Sequence, residues 1–85
     1  MTVMNTELID VVDVVPLENY QLELTFANHE RRVFDMTAYL HKKPFNKLTE
    51  QNRFMTAHVD YGTVVWDGNI DMSPETLYDR SKLKQ

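Results

Sequence analysis

Cysteine is missing from all 85 residues, and glycine and proline occur only two and three times. Without cysteine there is no disulfide framework and no thiolate site, which fits a reducing compartment. With glycines only at 62 and 68 there is no flexible linker, no low-complexity tract and no Gly-rich phosphate loop. No apolar run nears the roughly 18 residues of a membrane span, and no basic stretch followed by an apolar one opens the chain, so a cytoplasmic location away from membranes is expected. Positive charge is also scarce. Nine Lys and Arg stand against thirteen Asp and Glu, a net charge of −4, whereas a free-standing nucleic-acid binder needs a basic surplus to displace counterions.

What is present is 42% apolar and 11% aromatic residues. A chain this short buries only about 60% of its unfolded surface, enough for one modest core. Residues 1–85 are therefore read as a single small domain, and with no staple available a second copy or a protein partner is expected to add burial. Charge comes in blocks: two basic against seven acidic groups in residues 1–36, four against one in 37–54, none against five in 55–79, and three against none in 80–85. This pattern predicts that Lys42, Lys43, Lys47 and Arg53, and likewise Arg80, Lys82 and Lys84, lie near acidic strands.

Leu8 to Val15 is rich in β-branched side chains and is closed by Pro16, which predicts a strand ending at the proline. Both of its faces are apolar, so it is the strand that most needs cover. Tyr20 to Phe26 alternates strictly, with Tyr20, Leu22, Leu24 and Phe26 on one face and Gln21, Glu23 and Thr25 on the other. Glu30 to Met36 returns as a third strand. The loop between them follows from register, because a slip of one residue reverses the faces. A two-residue loop at Asn28-His29 pairs Leu24 with Val33 and turns Phe34 to solvent. A three-residue loop from Ala27 to His29 pairs Leu22 with Phe34 and Tyr20 with Met36, and is expected, as a type I turn followed by His29 in the left-handed region. Glycine is the usual occupant there, with His uncommon but enriched. The Arg31-Arg32 pair reads as a solvated device against edge-to-edge aggregation.

Asp35 or Thr37 is placed to cap a helical turn through Tyr39 and Leu40 that Pro44 cannot continue. Phe45 and Leu48 read as buried, and Thr49 as the cap of a second short helix through Phe54. Thr56 to Asp60 and Thr63 to Trp66 form a hairpin around Tyr61-Gly62. Ser73-Pro74-Glu75 spells a helix start, with Ser as cap, Pro at the first helical position and Glu in the first turn. The expected fold is α+β, a small antiparallel, mostly hairpin sheet with two or three short helices, one of them after Ser73.

Asp67-Gly-Asn-Ile-Asp71 opens like a calcium loop, but Met72 stands where that loop needs glycine and Tyr78 where it needs a bidentate glutamate. A turn leading into the helix cap is expected instead. His58 and Asp60 share a strand face and, with His29 or His41, sketch a zinc site or an acid/base pair. No His-x-x-x-His spacing supports this, and the wet face of a half-buried sheet accounts for them. Ser73 is already used as a cap, so no serine nucleophile stands out. Trp66, Tyr61 and Tyr78 belong to types favoured at interfaces yet needed for a small core: Trp66 reads as core, and Tyr78 as divided between core and interface. Asp71 and Glu75 are expected to hold the turn and the helix N-terminus.

Phe34-Asp35-Met36, Phe45, Leu48, Phe54, and Trp66 followed by Gly68, Asp71, Pro74, Glu75, Leu77 and Tyr78 together resemble a family of short bacterial domains of unknown function. That family shows an alternating strand, a glycine turn, a Phe-Asp-Leu element, a tryptophan and an Asp-x-x-Pro-Glu-x-Leu-Tyr ending. The resemblance runs from about Val12 to Tyr78, with His29 in place of the turn glycine. It implies a small α+β fold without established catalytic residues. It also implies relatives that occur alone, fused to helix-turn-helix domains, or encoded beside toxin–antitoxin-type proteins.

The expected function is that of a non-enzymatic interaction or regulatory accessory module, antitoxin-like in type. It would dock a protein partner or a second copy through a sheet edge or through the C-terminal region of Trp66, Asp71, Pro74, Glu75, Leu77 and Tyr78. No catalytic residue, cofactor, metal or direct nucleic-acid contact is expected. The alternative is a small metal-binding protein or enzyme using His58 and Asp60 with Asp67 and Asp71.

Overall fold

The computed structural model describes residues 9–84. Strands β1 (Val11–Pro16), β2 (Gln21–Phe26), β3 (Arg31–Asp35) and β7 (Lys82–Leu83) form one antiparallel sheet in that order. Strands β4 (His58–Asp60), β5 (Thr63–Trp66) and β6 (Ile70–Met72) form a second. Two short helices, α1 (Gln51–Phe54) and α2 (Pro74–Asp79), and two 3-10 turns complete a small α+β fold.

The first strand starts later than its composition predicts: Ile9 and Asp10 precede it, and Leu8 lies outside the described residues. Its register shifts between Val11 and Asp13, which leaves Val12 as the extra residue of a bulge. Val11 is buried and Val14 packs on the core, while Val12 and Val15 are 55% and 45% exposed. Both faces of this strand are thus apolar, and only one is covered. Pro16 closes it on the margin of the sheet, where a missing N–H breaks no ladder.

The β2–β3 hairpin has the three-residue loop that side-chain facing demands. Leu22 pairs with Phe34, Phe26 N–H donates to the Glu30 carbonyl, and Met36 N–H donates to the Tyr20 carbonyl. His29 has φ +74°, and the Asn28 side-chain oxygen accepts from Glu30 N–H. Tyr20 itself precedes the strand at φ +64°, yet its ring still meets Phe54 at 5.2 Å.

Asp35 caps the following turn by accepting from Thr37 N–H at 2.9 Å. The first segment expected as helical is a 3-10 turn, Met36–Tyr39, the second is α1 within the expected Thr49–Phe54 stretch, and a further 3-10 turn, Phe45–Thr49, lies between them. Leu48 is fully buried and Phe45 partly so. Thr49 does not cap α1. Its hydroxyl donates to the Asn46 carbonyl, closing the preceding turn, and α1 begins after Glu50 with no side-chain cap.

Tyr61 and Gly62, at φ +53° and +75°, form the tight turn between β4 and β5, with both residues left-handed as a two-residue hairpin requires. The strand starts at His58 and leaves Thr56 and Ala57 outside it. The turn at Asp67–Asn69 does not pass straight into the helix cap, as expected, but returns as β6, with Trp66 opposite Ile70. The two sheets meet where Val11 N–H donates to the Gly62 carbonyl at 2.8 Å. They share one core: Val11, Leu22, Leu24, Phe26, Phe34 and Met36 from the first sheet, Val64, Trp66, Ile70 and Met72 from the second, and Leu48, Phe54 and Leu77 from the helical segments.

Candidate functional site

The C-terminal motif residues separate by role. Ser73 Oγ accepts from Thr76 N–H at 3.2 Å, Pro74 opens α2, and Glu75 sits exposed in its first turn. Leu77 and Trp66 are fully buried. Trp66 lies 6.4 Å from both Phe45 and Phe54, and its indole N–H meets no acceptor among the described residues, so its contribution is ring packing. Asp71 does not hold the turn: it is exposed in the middle of β6, opposite Val65.

Tyr78 is the hinge of this region. Its ring meets Phe26 edge-on at 5.1 Å, and the Arg32 guanidinium lies 4.3 Å from its centroid. Arg32 is therefore no solvated edge residue, and β3 is no edge, because β7 pairs with its outer side. Arg32 Nε donates to Ser81 Oγ at 2.8 Å, one Nη to the Ser81 carbonyl at 3.3 Å, and the other to Glu30 at 2.6 Å. The Tyr78 hydroxyl, working against partial burial and aided by Arg32, holds the Glu30 carboxyl below its ordinary value of 4.5. The result is a structural clamp fastening α2 and β7 to β3. The signal for it lay in the register: if Phe34 and Met36 face inward, so do Arg32 and Glu30.

The residues of the alternative metal or acid/base reading do not converge. His58 and Asp71 share an exposed face but flank Val65 from opposite strands, roughly 10 Å apart by strand spacing. Asp60 lies opposite Thr63, and Asp67 lies in the β5–β6 turn. His29 tips the hairpin of the other sheet, and His41 follows the first 3-10 turn. Among the described residues no three His, Cys, Asp or Glu side chains gather as metal ligands. The would-be calcium loop faces a cation already, since a Cβ on Gly68 would stand 2.9 Å from an Arg53 guanidinium nitrogen.

Arg53 also borders two shallow polar depressions, with Glu50, Asn52, Thr56 and Asp67 on one side and Asn46, Lys47 and Thr49 on the other. Its charge is partly met by Glu50 at 3.9 Å and by the Asp67 carbonyl at 3.3 Å. The middle basic block thus reaches the acidic 55–79 segment through Arg53 at the Asp67 carbonyl, while its ion pair among the described residues lies within the block itself. The C-terminal block does reach a strand, through Lys84 and Glu23 at 3.0 Å.

The most exposed large apolar side chain among the described residues is Tyr61, at 95%. Sequence reading places it in the turn and leaves it, with Trp66 and Tyr78, divided between interface and core; the structure leaves it outside the core and exposed. It adjoins the bulged end of β1 through the Val11–Gly62 hydrogen bond, and the Asp10 carboxyl lies against Gly62. No helix of the described residues is long and apolar enough to cross a membrane.

The chain matches no curated protein and no solved structure. A family described as "Protein of unknown function (DUF2442)" matches residues 11–82, from the first residue of β1 into β7. By that match the chain belongs to the DUF2442 family, whose function is unknown.

Proposed function

We propose that this DUF2442 chain is a cytoplasmic, non-enzymatic protein-interaction module that docks a partner through β1 and the Tyr61 turn. The observation that carries the reading is Tyr61 itself, 95% exposed on a left-handed backbone position. Asn or Asp would make the same turn at less cost and leave no aromatic ring in water. Tyrosine is a favoured residue for the centre of a protein interface. On β1, whose first residue hydrogen-bonds the adjoining Gly62, Val12 and Val15 add exposed apolar surface. The C-terminal region is the weaker docking candidate, because Trp66 and Leu77 are buried and Tyr78 is held between Phe26 and Arg32. A regulatory accessory role, antitoxin-like in that one small chain masks another, requires only a face of this kind.

Capture from a native lysate by tagged protein tests the proposal, with Tyr61→Ala run in parallel. A specific protein recovered by the parent and lost with the variant, while thermal melts of the two coincide, supports it. Recovery indifferent to Tyr61 overturns it.

A further inference from the structure

The surroundings of Tyr61 specify a partner chemistry. Asp60 precedes it at the end of β4, Asp10 lies against the adjoining Gly62, and Asp13 follows the Val12 bulge on the exposed side of β1. Salt bridges among the described residues use Glu23, Glu30 and Glu50, and none uses these three aspartates. Residues 1–8 and Gln85 contain no Lys or Arg that would supply a side-chain cation. Tyr61 is thus an exposed aromatic anchor whose chain neighbour Asp60, and Asp10 and Asp13 around the adjoining end of β1, are carboxylates without cationic side-chain partners among the described residues.

Resting on the interaction reading above, we infer that the partner is a different protein presenting Lys or Arg beside an apolar socket for Tyr61. Charge complementarity chooses this occupant. A second copy docked about a two-fold axis would bring Asp10, Asp13 and Asp60 against the same three carboxylates, since an isologous interface repeats one patch on both sides. A copy docked through its own basic block instead makes a heterologous contact, which closes only for special rotations. Nucleic acid and anionic lipid carry the same sign as the patch and are repelled.

Selection of random phage-displayed peptides on the immobilised full chain, with counter-selection on Tyr61→Ala, tests the inference. The expected winners combine Leu, Phe or Val with Lys or Arg and bind more weakly as salt rises. Tyr61→Ala is expected to lower their affinity about tenfold or more. Asp10→Asn, Asp13→Asn and Asp60→Asn together are expected to flatten the salt dependence, with circular dichroism unchanged. Tyr61-dependent winners that are neutral or acidic overturn the charge inference and leave the interaction reading standing. A Tyr61-dependent dimer in light scattering overturns the choice of a different protein. Failure to select any Tyr61-dependent peptide overturns the inference, and the lysate comparison then decides the interaction reading separately.

Discussion

Tyr78 and Tyr61 show how differently one residue type is used in two regions of the molecule. Tyr78 has a phenylalanine edge on one side and a guanidinium over its ring, and its hydroxyl depresses a neighbouring carboxyl. Tyr61 touches almost nothing and is 95% exposed. The acids around the two differ in the same way. Glu30 is paired with Arg32, whereas Asp10, Asp13 and Asp60 take part in no ion pair among the described residues. What separates the regions is cover: α2 and β7 close over the first, and nothing described closes over the second. A satisfied polar cluster holds a fold together, while an unsatisfied apolar anchor is left for another molecule.

The sharpest test of this contrast is to truncate both rings. Tyr78→Ala exposes Phe26 and unseats Arg32, and is expected to cost on the order of 2–4 kcal/mol in urea denaturation. Tyr61→Ala is expected to stay within about 0.5 kcal/mol of the parent. Comparable losses at the two sites would erase the distinction.

The adjacent arginines give a smaller contrast. Arg32→Met removes the guanidinium donor from Glu30 and Ser81 and should cost about 1–3 kcal/mol. Arg31, whose side chain is 62% exposed and 4.0 Å from Glu23, should tolerate the same change within about 0.5 kcal/mol. Equal effects would mean that the inward register of Arg32 carries no energetic weight.

The two left-handed turn positions come next. His29→Gly is expected to be neutral or mildly stabilising and His29→Val to cost about 1 kcal/mol, read from thermal melts. Tyr61→Asn should likewise melt no lower than the parent, yet lose partner capture, which separates the turn's conformational need from its side chain's use.

The smallest effect expected is in the acid limb of stability. Glu30 has its native carboxyl below 4.5, so its contribution is fully present above the unfolded value and disappears as pH falls through the lowered native one. Glu30→Gln should therefore flatten the loss of stability below about pH 4.5. An acid limb unchanged in the variant would show that the clamp does not discriminate between the protonation states of Glu30.

Much of the fold was legible because its cues are local. Strict alternation in β2, a loop length constrained by facing, and the Ser73-Pro74-Glu75 start each act within a few residues, and each appears in the structure as expected. β6 and β7 escaped notice because they are three and two residues long, too short for periodicity to register. Thr49 closes one turn instead of opening the next because a threonine hydroxyl serves equally well for either, and only the fold decides between them. Arg32 departs from expectation for a different reason: its register turns it inward, and a guanidinium stays there only because Ser81 and Tyr78, distant in the chain, meet it.

The amino-acid order therefore determined the elements governed by short-range sterics and side-chain facing: the β2–β3 hairpin, the left-handed His29, the cap at Ser73 and the buried Trp66. Only the tertiary structure decided which polar groups are satisfied. Placing Ser81 and Tyr78 over Arg32 depends on contacts between residues nearly fifty positions apart, and such contacts exist only once a chain has closed on itself. The exposure of Tyr61 belongs to the same class. A turn residue becomes a docking anchor through what the rest of the fold leaves uncovered, and no local pattern records that.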